Sequence, residues 1–260
     1  MANRRIAPQA RSRPVSSSNN PNPNPNRLLA ALPLEDYARV QRTLDTVQVK
    51  LKQILHKPEE PVDHVYFPGS GFCSVLTALA DGRMIEAATV GREGAVGVSA
   101  VLSGVPDPAV TMVQADIDPL FRMTANAYRA EMDRRGAFYE LLTRYSQAMV
   151  GFVMQSSACN AVHRLEQRLA RWLLLARDRI ESDQFPMTQE FLAMMLGASR
   201  PTVTVVAGTL QKAGLIKYHR GQMTIVDGDA LEDASCECYR TATDLLSGVT
   251  DQRSLRIASR

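Results

Sequence analysis

The sequence predicts an α+β fold: an N-terminal antiparallel β-roll of jelly-roll type, then a long helix, then a compact helical unit that closes on a small hairpin. Three observations predict it. Short alternating apolar runs punctuated by Gly, Pro and Asp fill residues 47–115. A stretch with helix-compatible spacing and no proline runs from Asn126 to Ser182. Beyond it, two short helical segments separated at Gly197 lead into two alternating segments at Ile216 to Tyr218 and Met223 to Val226.

At 260 residues the chain exceeds one average domain, so two compact units plus a tail are expected. A formal net charge of +3 is too mild to identify a polyanionic partner unless the basic residues are concentrated locally. The four cysteines, Cys73, Cys159, Cys236 and Cys238, give neither a secreted disulfide framework nor repeated CxxC pairs. A reducing cytoplasm is therefore the expected setting. Charges interrupt every apolar run before the roughly 18 residues a membrane span needs, and no apolar core follows Arg4 and Arg5, so no membrane partner is expected.

Residues 1–26, with Ser16 to Ser18 and the PNPNPN run from Pro21, read as a disordered tail by composition. Pro33 sits where a short helix carrying Leu34, Tyr37, Ala38 and Gln41 begins. Val47, Val49 and Leu51 then alternate with polar residues, and strands are expected at His64 to Phe67, Phe72 to Ala80, Arg83 to Val90 and Val110 to Ala115. Asp81-Gly82 marks a two-residue hairpin turn. In the following helical stretch Leu142, Tyr145, Met149, Phe152, Ser156 and Cys159 recur at three- and four-residue steps, the 3.5 repeat of a coiled coil, and are expected to pair with a second copy. A further helix from His163 to about Ile180 carries Trp172 as a core residue. The resulting domains are 1–26 tail, 27–125 β-roll, 126–162 dimerising helix, 163–240 C-terminal unit and a 241–260 tail that reads as a short helix from Thr241 fading into disorder.

The informative segment runs from Thr188 to Val226. Ala193 is small where two crossing helices would touch, Gly197 accepts a tight turn, and Ser199 followed by Arg200 and Pro201 is an N-cap with proline in the first helical turn. The second helix would present Arg200, Thr202 and Thr204 to base edges in a major groove. The hairpin around His219 to Gly221 reads as a wing. Arg200, Lys212, Lys217 and Arg220 face the single acid Glu190 across this segment, so positive charge gathers where phosphates would lie. Double-stranded DNA is the expected partner, and Thr188, Gln189, Ser199, Arg200, Thr202, Thr204, Lys217, His219 and Arg220 are the candidate contacts.

Over residues 27–226, and most specifically at GASRPTVTVVAGTLQKAGLI, the chain resembles the Crp/Fnr superfamily. That resemblance implies a cyclic-nucleotide-binding-like sensor roll, a dimerising helix, and a winged helix-turn-helix that reads a palindromic operator to control transcription, with RNA polymerase as a further partner. Arg200 matches the family's guanine-contacting arginine. The chain departs where the family often has glutamate, here Pro201, and a second arginine, here Val205, so the operator should differ from the one the cyclic-AMP receptor reads. In the roll, Gly91, Arg92, Glu93 and Gly94 match the phosphate-cradling turn and are the candidate effector contacts. The family's phosphate-binding arginine falls near Asp107, Pro108 and Ala109, where there is no cation, so no cyclic nucleotide or other cofactor is expected.

No catalytic or metal-binding set is expected. His56 and His64 lack the HxH spacing of cupin enzymes, and the isolated Cys236-Glu-Cys238 is a weak metal signal set aside as incidental. A regulator with no effector, and more remotely a cupin-like metal-dependent enzyme, are the alternatives.

Overall fold

The computed structural model describes residues 22–251. Helices α1 (Arg27–Ala30) and α2 (Leu34–Gln41) precede strands β1 (Leu44–Val47), β2 (Ile54–His56), β3 (His64–Pro68), β4 (Phe72–Ala78) and β5 (Met84–Gly91). After α3 (Val98–Ser103), β6 (Ala109–Val113) and β7 (Leu120–Thr124) complete the roll as two antiparallel sheets, β1-β7-β3 and β2-β6-β4-β5. Helices α4 (Ala125–Asp133), α5 (Ala137–Val162) and α6 (Leu165–Ile180) follow. The C-terminal unit comprises β8 (Gln184–Pro186), α7 (Gln189–Leu196), α8 (Arg200–Lys212), β9 (Ile216–His219), β10 (Gln222–Ile225), α9 (Gly228–Ala234) and α10 (Cys238–Ser247).

The α+β class and the order of parts are as the sequence predicts, with several corrections. Alternation at 47–52 does not make a strand, because β1 ends at Val47. Strands β2, β7 and β8 carry no strong alternation and were not expected. The β4–β5 hairpin turns at Asp81-Gly82 through a three-residue loop: Leu79 N–H donates to the Arg83 carbonyl at 2.8 Å, and Gly82 alone takes positive φ, +83°. The expected continuous helix at 126–162 breaks at Arg134 to Gly136, which makes α4 a separate element.

The expected N-terminal tail is corrected as well, whereas the short helix expected from Thr241 is present as part of α10. Residues 1–21 and 252–260 lie outside the described residues, but Asn22 to Asn26 are folded against the roll. Each asparagine does what its proline neighbours cannot: Asn22 Oδ1 accepts from Asn24 N at 3.2 Å and Asn24 Oδ1 from Asn26 N at 2.8 Å, successive Asx turns. Buried Asn26 caps α1 and donates to the Pro68 and Gly94 carbonyls at 2.8 and 2.9 Å. At the other end, α10 packs on α5 and buries Ala242 and Leu246, and Val249 just beyond it is buried too.

The expected dimer seam is corrected too. Leu142, Tyr145, Phe152, Ser156 and Cys159 are buried against this chain's own roll and helices, and Met149 is half-buried among them. Tyr145 donates its hydroxyl to the Ala95 carbonyl at 2.8 Å. A heptad stripe marks one covered face of a helix but carries no label for what covers it. The opposite face of α5 is also uncharged, since no Asp, Glu, Lys or Arg stands between Arg144 and His163. It exposes Val150 by 53% and Met154 by 67%.

Candidate nucleic-acid interface

Local chemistry starts and stops the two helices that carry the interface. The Thr188 hydroxyl caps α7 by accepting from Phe191 N at 3.2 Å, and the Ser199 hydroxyl caps α8 by accepting from Thr202 N at 3.3 Å. Between them Gly197 takes φ +60°, a conformation open to glycine at no steric cost, and the helix axes bend by 101°. Ala193, Leu192, Val203 and Val206 are buried where the helices meet. The hairpin β9–β10 turns through Arg220 and Gly221, both at positive φ, and Tyr218 N–H donates to Gln211 Oε1 at 2.7 Å, which anchors this wing to α8.

The predicted DNA-facing residues divide into two kinds by what their side chains already do. Arg200, Lys217 and Arg220 are exposed and form no ion pair among the described residues, as does Lys212 at the far end of α8. His219 and Thr202 are exposed beside them. Thr188 and Ser199 spend their hydroxyls on caps, while the Thr204 hydroxyl lies 2.9 Å from the Arg200 carbonyl and 3.0 Å from half-buried Gln189 Oε1, tying α8 to α7. These four position the surface more than they read from it. Val205, absent from the candidate contacts, is 70% exposed on the same face and offers an apolar contact of the kind a thymine methyl accepts.

The roll rests on the back of this unit. Trp172 on α6 packs edge-on against Phe72 of the roll and Phe191 of α7, with ring centroids 6.0 and 5.7 Å away. Its indole N–H donates to Glu86 Oε1 on β5 at 2.7 Å. Burial pushes the Glu86 carboxyl up to about 7, against the pull of Ser74, Trp172, Arg171 and Arg179. The Ser74 hydroxyl stands 2.7 Å from Glu86 Oε2 and 3.7 Å from Met195 Sδ on α7, so a polar chain crosses from roll to helix-turn-helix.

The loop expected to cradle an effector is occupied by the chain itself. Glu93 accepts from buried Arg179 at 2.8 Å and from Gly91 N at 3.1 Å, and Arg92 pairs with Glu181. Burial pushes the Glu93 carboxyl up, but Arg179 and the backbone donors outweigh it and hold the group below its ordinary value. Close approach explains the glycines: a Cβ at Gly91 would lie 2.7 Å from Arg179 Cγ, and one at Gly94 would lie 2.5 Å from the Tyr145 hydroxyl. Arg92 and Glu93 line the edge of a cleft of ≈ 580 Å³ shared with Arg27 and α6. His56 and His64 do not converge as a metal pair, because His56 Nε2 meets the His64 carbonyl at 3.0 Å.

Residues 167–234 match the Crp-like helix-turn-helix domain. Among solved structures, the chain matches a CRP-family transcriptional regulator of Thermus thermophilus at 21% identity, over 73% of this chain and 96% of that one, with a TM-score of 0.62. It also matches the c-di-GMP-responsive global regulator CLP of Xanthomonas campestris at 16% identity, over 74% and 99%, with a TM-score of 0.61. FixK2 of Bradyrhizobium japonicum matches at 16% identity, over 74% and 98%, with a TM-score of 0.58. No curated protein matches by sequence.

Proposed function

We infer that this chain, a Crp-like helix-turn-helix domain set on the Crp/Fnr fold, is a DNA-binding transcription regulator of the Crp/Fnr type. The observation that carries the inference is the front of α8, where Arg200, exposed and without an ion pair among the described residues, follows a capped turn in a unit whose wing exposes Lys217 and Arg220 as further cations. A bidentate guanidinium suits the O6 and N7 acceptors of guanine, and Lys217 and Arg220 suit phosphates on either side.

The working unit in this reading is a cytoplasmic homodimer on a palindromic operator, with RNA polymerase as its further partner. The pairing surface moves from the buried seam to the outward face of α5. There Thr143, Gln147, Val150, Met154, Ser157 and Ala161 recur at four- and three-residue steps and are all exposed. An uncharged stripe at the coiled-coil repeat along a 26-residue helix suits a second copy of itself. Half-sites would then lie about one helical turn of DNA apart, roughly 34 Å.

The controlling signal is one other than cyclic AMP, since the charges of the Gly91 to Gly94 loop are already paired within the chain and no cation stands at Asp107 to Ala109. The test is selection of bound duplexes from random sequence, followed by gel shift of the selected palindrome and by light scattering. A dimer that prefers the selected duplex is expected, and Met154→Glu should give a monomer with weakened operator binding. A wild-type protein that retards no selected duplex at low ionic strength would overturn the reading.

A further inference from the structure

Away from the DNA-facing surface, four side chains from two distant stretches converge. Cys159 and His163 stand four residues apart at the end of α5, so they share a face. Cys236 and Cys238 lie at the junction of α9 and α10. One ligating atom from each, three thiol sulfurs and one imidazole nitrogen, all fall within 4.8 Å of one another. Cys159 Sγ is 3.5 Å from Cys236 Sγ, and Cys238 Sγ is 3.5 Å from His163 Nδ1. The three cysteines are buried and His163 is half-buried.

Thiols are weak hydrogen-bond partners, so hydrogen bonding gives little reason to gather three of them around an imidazole. A metal ion gives one. Tetrahedral zinc, with Zn–S of about 2.3 Å and Zn–N of about 2.0–2.1 Å, sets its ligands roughly 3.5–3.8 Å apart, close to the two separations seen. We propose that Cys159, His163, Cys236 and Cys238 form a closed Cys3His zinc site that fastens α10 to the point where α5 gives way to α6.

The surroundings support the ion independently of the four ligands. With Nδ1 on zinc, the His163 Nε2–H faces Glu237 Oε1 at 3.3 Å, the carboxylate–imidazole arrangement that orients metal-bound histidines. Gln155 Nε2 donates to Cys238 Sγ at 3.0 Å. Three thiolates, a neutral imidazole and Zn²⁺ leave one net negative charge, and the guanidiniums of Arg171 and Arg168 stand within electrostatic reach of the Cys159 sulfur. Four protein ligands leave no open position, which makes the site structural. Its place gives it leverage: His163 is the first of two extended residues between α5 and α6, and Arg168 donates to the Leu196 carbonyl at the end of α7, 2.6 Å away.

The full-length chain, purified under reductant, should carry one zinc per chain by elemental mass spectrometry. After chelation, cobalt(II) should produce the visible and near-ultraviolet absorption of a tetrahedral thiolate site, and zinc should displace it. Cys238→Ser and His163→Ala should abolish stoichiometric binding, His163→Cys should restore it with a shifted cobalt spectrum, and Cys73→Ser, which alters a buried thiol elsewhere, should keep the full equivalent. Wild-type apoprotein that gives no cobalt–thiolate absorption would overturn the proposal, as would thiols alkylated equally fast with and without zinc. A chain that binds zinc but shifts no duplex, or the reverse, separates this site from the DNA-binding reading.

Discussion

The front of α8 and the loop from Gly91 to Gly94 both carry an arginine in a glycine- or cap-defined turn, and they use it in opposite ways. Arg200 projects from a helix start where Ser199 caps Thr202 N, and its guanidinium forms no ion pair among the described residues, so its five N–H groups remain for a partner. Arg92 and Glu93 sit in a loop pressed against α6, and their charges are consumed by Glu181 and Arg179. A binding residue is thus recognised less by its type than by what its neighbours leave unspent.

The largest effect should come from breaking the closed side of this contrast. Glu93→Ala leaves Arg179, 4% exposed, as a buried and unpaired cation, which should cost about 3–5 kcal/mol in denaturant unfolding. A neutral result would mean that the loop is open to solvent and would restore it as an effector cradle. On the open side, Arg200→Ala should leave stability unchanged within about 0.5 kcal/mol. It should remove about 1–3 kcal/mol of base discrimination per half-site, read by competition between operator and random duplex.

Between the two surfaces lies Glu86, and its effect is smaller. Its carboxyl in the folded chain sits at about 7, above its ordinary 4.5, because burial disfavours the charge, so the stability of the neutral buried group is fully present below about pH 4.5 and is lost as pH rises through about 7. The loss should be on the order of 3 kcal/mol. Thermal midpoints compared between about pH 5 and about pH 8 should therefore fall more for wild type than for Glu86→Gln, whose amide cannot ionise. Equal slopes would show that this carboxyl does not titrate in the contact. The smallest expected change is Lys217→Ala, which should weaken all duplexes alike and lower the salt slope of binding by about 1.

How much of this was legible depended on whether the deciding interactions were local. The helix-turn-helix could be read residue by residue because Thr188, Gly197, Ser199 and Pro201 act on backbone within a few positions of themselves. The α5 seam could not be assigned correctly, because a periodicity of 3.5 is the same whether a helix faces its own roll or its twin. The thiol cluster escaped for a related reason: CxC alone is a weak signal, and Cys159 lies 77 positions away from its nearest sulfur. The spacing Cys159-x-x-x-His163, one helical turn, was the signal that could have matched it. Trp172 was expected only to fill core, and its hydrogen bond to Glu86 depends on a strand 86 positions distant.

Asn26 carries a practical warning for anyone who trims the chain. Starting at Arg27, where composition alone would place the cut, removes the amide that holds the Pro68 and Gly94 carbonyls together. Two inward-facing acceptors would be orphaned at about 1–3 kcal/mol apiece, and α1 would lose its first-turn anchor. A shortened protein that misbehaves would then report on a missing staple beneath the Gly94 loop and say nothing about its grip on DNA.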